Sequence, residues 1–164
     1  MEEIARKRIH EVSDKYNMGI EDVEVEFDST LPYNILGRTT ASRYGDSDPK
    51  VVVGDSFLEA NESEQLRTMA HEGFHVKQFR DEETDWLQDE FGVSEDFTRE
   101  VERAWQTGKV DEVEGITEVV VDKMLPFGSS GYPYQKRAKE KELEAKGIDV
   151  ESELVDDIED EIYG

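Results

Sequence analysis

The run Glu62-Ser63-Glu64-Gln65-Leu66-Arg67-Thr68-Met69-Ala70-His71-Glu72-Gly73-Phe74-His75-Val76-Lys77-Gln78-Phe79-Arg80 holds no proline and one glycine, and it reads as a single helix. Leu66, Ala70, Phe74 and Lys77 are spaced to share a face, with Met69 and Gly73 beside them. Within the run, His71 and His75 are four residues apart, so a helix stacks their imidazoles one above the other. Neutral imidazole is among the best zinc ligands a protein can offer, and two of them make half of a tetrahedral site. Glu72 projects beside the pair, where its carboxylate can take a proton from an activated water. The chain has three histidines, and two of them are here. The alternative, a surface helix with two solvated histidines, would need no such rigid, half-apolar support. Gly73 in mid-helix costs roughly 1 kcal/mol against alanine, which predicts close packing by another element.

Upstream, residues 3–17 read as a helix with Ala5, Ile9, Val12 and Tyr16 on one stripe; His10 falls off it and is expected in solvent. Val23 to Phe27 alternates Val-Glu-Val-Glu-Phe, the period of a strand with one wet face. After a loop with Pro32, Asn34 and Gly37, Thr39 to Tyr44 reads as a short strand, residues 45–49 as a turn, and Lys50 to Val53 as a third strand. A small, mostly antiparallel three-stranded sheet is therefore expected before the histidine helix. Gly37 to Tyr44 is the segment expected at an edge, where an extended peptide could add as a further strand.

Downstream the pattern is helical throughout. Asp81 to Phe91 ends at Gly92, and Ser94 caps a helix that carries Phe97, Val101, Ala104 and Trp105 and stops at Gly108. A helix from about Asp111 to Leu125 ends before Pro126, and Gly128-Ser129-Ser130-Gly131 reads as a loop. Tyr134 to Lys146 is a charged helix closed by Gly147. Residues 148–164 form an acidic terminal helix or a frayed tail, with Leu154, Ile158 and Ile162 at spacing four. The expected architecture is α+β: an N-terminal helix, a small sheet, the histidine helix and a helical C-terminal half, in one domain spanning 1–164.

Asp and Glu number 42 against 19 Lys and Arg, a formal charge of -23. Aromatic content of 9% and periodic apolar stretches speak against disorder, so the charge points to a fold adapted to molar salt. There the Debye length shrinks to about 3 Å and dense carboxylates no longer repel strongly, as in an extreme halophile or its virus. The same charge repels phosphates and argues against nucleic acid as a partner. With no cysteine, disulfides and thiolate metal sites are excluded. Met1 to Lys7 lacks an apolar h-region, and no run approaches the ~20 apolar residues of a membrane span, so no membrane association and a cytoplasmic location are expected.

A catalytic zinc takes three protein ligands and leaves a position open. No histidine follows His75, and Gln78 and Asp81 stand where H-E-x-x-H-x-x-G-x-x-H would need glycine and histidine, so a third ligand downstream must be a carboxylate. The helix over 111–125 offers Glu114, Glu118 and Asp122 at spacing four, among Val113, Ile116, Val120, Val121 and Met124. Acids sharing a helix with so many apolar residues need partners, and a dication is one.

H-E-x-x-H followed by a glutamate on a later helix resembles the gluzincins, the zinc metallopeptidases of thermolysin and aminopeptidase type. Val113-Glu114-Gly115-Ile116-Thr117-Glu118 is similar to the aminopeptidases' Asn-Glu-Gly-Phe-Ala segment, whose glutamate before glycine binds zinc. That likeness implies Glu114 as the third ligand, with Glu118 holding the outer nitrogen of His71. Set against thermolysin, where an aspartate follows the ligand glutamate by four, Glu118 with Asp122 fits, and Glu114 with Glu118 fits that spacing too, with Glu in place of Asp. The layout resembles minimal gluzincins, which lack thermolysin's large second subdomain, and implies a zincin-like fold. The resemblance also implies an oxyanion donor beyond the glutamate helix, where Tyr132 and Tyr134 lie; an aromatic turn anchoring the next helix explains them equally well. The activity implied is zinc-dependent hydrolysis of a peptide or protein substrate with Glu72 as general base. The competing reading is a regulatory or interaction protein of zincin fold, latent or non-catalytic, with a structural zinc or a cleft occluded by the acidic tail.

Overall fold

Three consecutive valines, Val51 to Val53, sit at the centre of the only sheet among the described residues, which are 2–41, 48–125 and 130–150 of a computed structural model. Cα packing divides the chain into two compact units, Met1–Glu83 and Thr84–Gly164. The first holds α1 (Glu2–Tyr16), β1 (Glu24–Phe27), β2 (Gly37–Thr40), β3 (Lys50–Val53), α2 (Asp55–Glu59) and α3 (Glu62–Phe79). The sheet order is β1-β3-β2.

The sheet corrects the antiparallel expectation in one half. β2 pairs with β3 antiparallel, Thr39 opposite Val51, but β1 runs parallel to β3, with Val25 opposite Val51. Burial accounts for the strand order. Val51, Val52 and Val53 are all buried, so both faces of their strand are covered and it takes the centre. The alternating Val-Glu-Val-Glu-Phe run keeps Glu24 exposed and Val25 buried, and it lies at an edge. β2 is the other edge; it starts at Gly37, two residues earlier than the pattern indicates, and residues 42–47 lie outside the described part. The five-residue α2 has no side-chain cap and too few residues for a readable period, and the sequence pattern misses it.

Ala5, Ile9, Val12 and Tyr16 of α1 are buried as their stripe predicts, and α1 packs on α3. Asn61 caps α3, its side chain accepting from Glu64 N at 2.9 Å. From Met69 to Gln78 every α3 residue is buried, polar ones included, so the single-face expectation is too narrow, and Leu66 is only half-buried. Gly73 is the close approach its helix position predicts: a Cβ there would lie 2.7 Å from Ile20 Cδ1 and 3.3 Å from Met18 Cε.

In the second unit α4 (Glu83–Phe91) is followed by α5 (Glu95–Thr107), α6 (Val110–Met124) and α7 (Pro133–Ala145). α4 starts two residues later than expected, because Asp81 adopts a left-handed φ of 59°. Ser94 caps α5 by accepting from Phe97 N, and Gly108 ends it at φ 68°. α6 packs between α5 and α7, and at Gly115 a Cβ would come within 2.7 Å of the Gln135 carbonyl oxygen on α7. Lys139, buried on α7, is held by Glu112 and Glu142. Of the expected 128–131 loop and 148–164 tail, residues 128–129 and 151–164 lie outside the described part. No described helix is long and apolar enough to cross a membrane.

Candidate metal centre

The histidine pair is built by α3 alone. His71 and His75 stand one turn apart with ring centroids 4.7 Å apart and ring planes at 79°, and their Nε2 atoms are 3.1 Å from each other. Two imidazole nitrogens bound at about 2.0–2.1 Å on a tetrahedral zinc would be roughly 3.3 Å apart, so the pair is spaced as ligands are. Both rings are buried. On its other side His75 meets Gln78, with Nδ1 2.7 Å from the side-chain oxygen Oε1.

Glu72 is buried between α3 and the sheet edge. Thr39 of β2 donates its hydroxyl to the Glu72 carbonyl oxygen at 3.0 Å and lies 3.4 Å from the carboxylate Oε1. Strand and helix come this close because Gly37 has no side chain: a Cβ there would be 3.1 Å from Thr68 Cγ2 and 3.5 Å from Glu72 Cγ. The third histidine, His10, is exposed on α1 and bonds through Nε2 to the Glu21 carbonyl at 3.1 Å.

The three acids of α6 have different surroundings. Glu114 is half-buried, with Oε2 fully enclosed. Glu118 is buried, and Oε2 accepts from the Ser130 hydroxyl at 3.0 Å. Ser130 Oγ in turn accepts from Tyr132 N at 3.1 Å, which fixes the turn leading into α7. Asp122 pairs with Lys136 of α7 at 3.2 Å. Tyr132 is 38% exposed at the start of α7, and Tyr134, in its first turn, is 85% exposed.

His71, His75 and Glu114 each offer one ligand atom, and these atoms lie within 4.8 Å of one another, close enough to bind a metal ion. Two imidazoles and a carboxylate make a donor set that suits zinc and neighbouring divalent transition metals. Spacing four leaves Glu114, Glu118 and Asp122 equivalent; the grouping takes in the first of them. Thr39, Gln78 and Ser130 are not singled out as participants by the sequence. Gln78 was readable in principle, because three residues after His75 on a helix is the adjoining turn. Thr39 and Ser130 reach their carboxylates only through tertiary folding, and no local pattern marks them. No family model, curated protein or solved structure matches this chain.

Proposed function

We propose that this chain is a zinc-dependent peptidase of zincin-like fold, with the metal held by His71, His75 and Glu114 and with Glu72 as general base. The observation that carries the reading is the group of three ligand atoms with a buried carboxylate, Glu72, on the residue next to His71. Zinc, when bound, supplies Lewis acidity toward a water and a scissile carbonyl. Glu72 takes the proton of the attacking water and returns it to the leaving amine. Thr39 holds the Glu72 main chain from the strand side by donating to its carbonyl and stands beside the carboxylate. The outer edge of β2, which pairs with no further strand among the described residues, suits an extended peptide bound through main-chain hydrogen bonds. Of the two tyrosines, Tyr132 is our choice of oxyanion donor, because its backbone is tied through Ser130 to Glu118, whereas Tyr134 stands in solvent. The resemblance to gluzincins supports the same roles.

The test is metal content by elemental analysis at high salt, followed by peptide hydrolysis. About one zinc per chain, lost in His75→Ala, and Glu72→Gln that keeps its zinc while losing hydrolysis are the expected results. Full hydrolysis by Glu72→Gln would overturn the assignment of the base. A wild type that holds zinc and cuts no unstructured peptide would shift the reading to a non-catalytic metal protein.

A further inference from the structure

We infer that Gln78 is a positioning residue for this metal site: its side-chain carbonyl takes the Nδ1 proton of His75 and leaves Nε2 bare toward the metal. The inference rests on the metal-site reading above. A neutral imidazole carries one proton, and whichever nitrogen meets an acceptor keeps it. Here Nδ1 is 2.7 Å from Gln78 Oε1, while Nε2 points at His71 Nε2, 3.1 Å away. Both residues belong to α3, one turn apart and buried, so little freedom remains between them. Were the amide turned over, its N–H would face Nδ1, the ring proton would move to Nε2, and the pair could not bind a metal. Amide orientation and metal binding are thereby coupled.

Two further features favour a functional over a packing role. The amide nitrogen of Gln78 is buried and has no hydrogen-bond partner among the described residues. A buried donor left unmet is unfavourable, and a hydrocarbon side chain of similar length would avoid it. In a chain with 42 acids, moreover, a neutral amide stands where a carboxylate would grip the ring N–H more firmly. A carboxylate would add negative charge behind His75 and make the ring a stronger donor. The amide sets the tautomer without that charge, and so leaves the metal more electrophilic beside its one anionic ligand, Glu114.

The experiment measures zinc and cobalt(II) affinity by competition with a chromophoric chelator, and the thermal midpoint of the metal-free protein, for wild type, Gln78→Met and Gln78→Glu. Gln78→Met is expected to bind zinc about 10- to 100-fold more weakly, with an unchanged or higher metal-free midpoint. Gln78→Glu, which restores the acceptor, is expected to bind at least as tightly as wild type. Wild-type affinity in Gln78→Met would overturn the inference and leave the metal site standing. So would parallel loss of affinity and midpoint in Gln78→Met without recovery of affinity in Gln78→Glu. If Gln78→Met does not fold, Gln78→Glu decides: weaker binding than wild type in the folded variant overturns the role, and equal or tighter binding upholds it. Absence of zinc and cobalt binding by wild type would instead sink the metal-site reading, and this inference with it.

Discussion

The hydroxyl of Thr39 on β2 reaches Glu72 on α3 twice, donating to its backbone oxygen at 3.0 Å and standing 3.4 Å from its carboxylate. One strand residue thus touches both the main chain and the reactive end of the proposed general base. The strand that would receive a peptide and the helix that carries the histidines meet at this contact, and a glycine two residues earlier lets them do so.

Replacing Thr39 by valine keeps the branched shape and strand propensity but removes the donor. The Glu72 carbonyl retains its helical N–H, so the loss of stability is modest, about 0.5–1.5 kcal/mol. Freed of the contact, the carboxylate samples more rotamers, and kcat for a peptide substrate falls by up to about tenfold. Zinc per chain, determined on the same preparation, stays at the wild-type value. Loss of metal in Thr39→Val would mean that the hydroxyl supports the ligands rather than the base.

Gly73 and Ile20 form a second tight pair. An alanine at 73 gains helix propensity worth about 1 kcal/mol, yet its Cβ would sit 2.7 Å from the fully buried Ile20 Cδ1. Overpacking outweighs the gain, and Gly73→Ala is expected to be destabilising by about 1–3 kcal/mol. Ile20→Val removes the offending methyl. Alone it costs about 0.5–1.5 kcal/mol; beside Gly73→Ala it should restore stability. Denaturant unfolding of all four species measures the coupling, and strictly additive effects would show that the helix shifts instead of clashing.

The difference between what spacing reveals and what folding decides is plain at this site. His71, Glu72 and His75 are legible because a helix converts a spacing of four directly into proximity. The α1 stripe and the alternating β1 run are legible for the same reason, since each depends only on its own element's period. That β3 rather than β1 or β2 takes the centre is set instead by the three valines that must be covered on both faces, a demand visible only when the strands compete for the centre, and the parallel direction of β1 is written in no single element's period. The carboxylates of α6 are ambiguous on the same grounds. Glu114, Glu118 and Asp122 share spacing and apolar neighbours, and they are told apart by Ser130 and Lys136, which come from beyond the helix.

That separation yields a test of ligand order. Glu114→Gln is expected to lower zinc affinity at least tenfold, because an amide oxygen is a poor substitute for an anionic ligand. Glu118→Gln keeps an acceptor for Ser130 and should retain zinc within a few-fold. Glu118→Ala leaves the Ser130 hydroxyl unmet and a buried void, and costs about 1–3 kcal/mol of stability without abolishing metal binding. Competition titration with a chelator gives the affinities. Zinc lost in Glu118→Gln and kept in Glu114→Gln would exchange the two roles.

Glu142 carries the clearest pH signature of the second unit. Lys139 donates to its Oε2 at 2.9 Å, and Arg103 and Lys146 reach Oε1 at 2.6 and 3.1 Å. Lys139 above all, with help from the other two cations and against partial burial, lowers its pKa from 4.5 to about 2. The carboxyl therefore binds its proton more readily in the unfolded chain than in the folded one. Its contribution to stability is complete above pH 4.5 and disappears as the pH falls toward 2. The side chain is one-third exposed, and molar salt screens its partners, so the contribution is larger at low ionic strength. Thermal melts of wild type and Glu142→Gln between pH 6 and 2 isolate it from the other 41 acids that titrate in both proteins. The wild-type advantage in midpoint should be greatest above pH 5 and vanish near pH 2; a gap that stays constant across the range would show that the three cations do not hold Glu142 ionised.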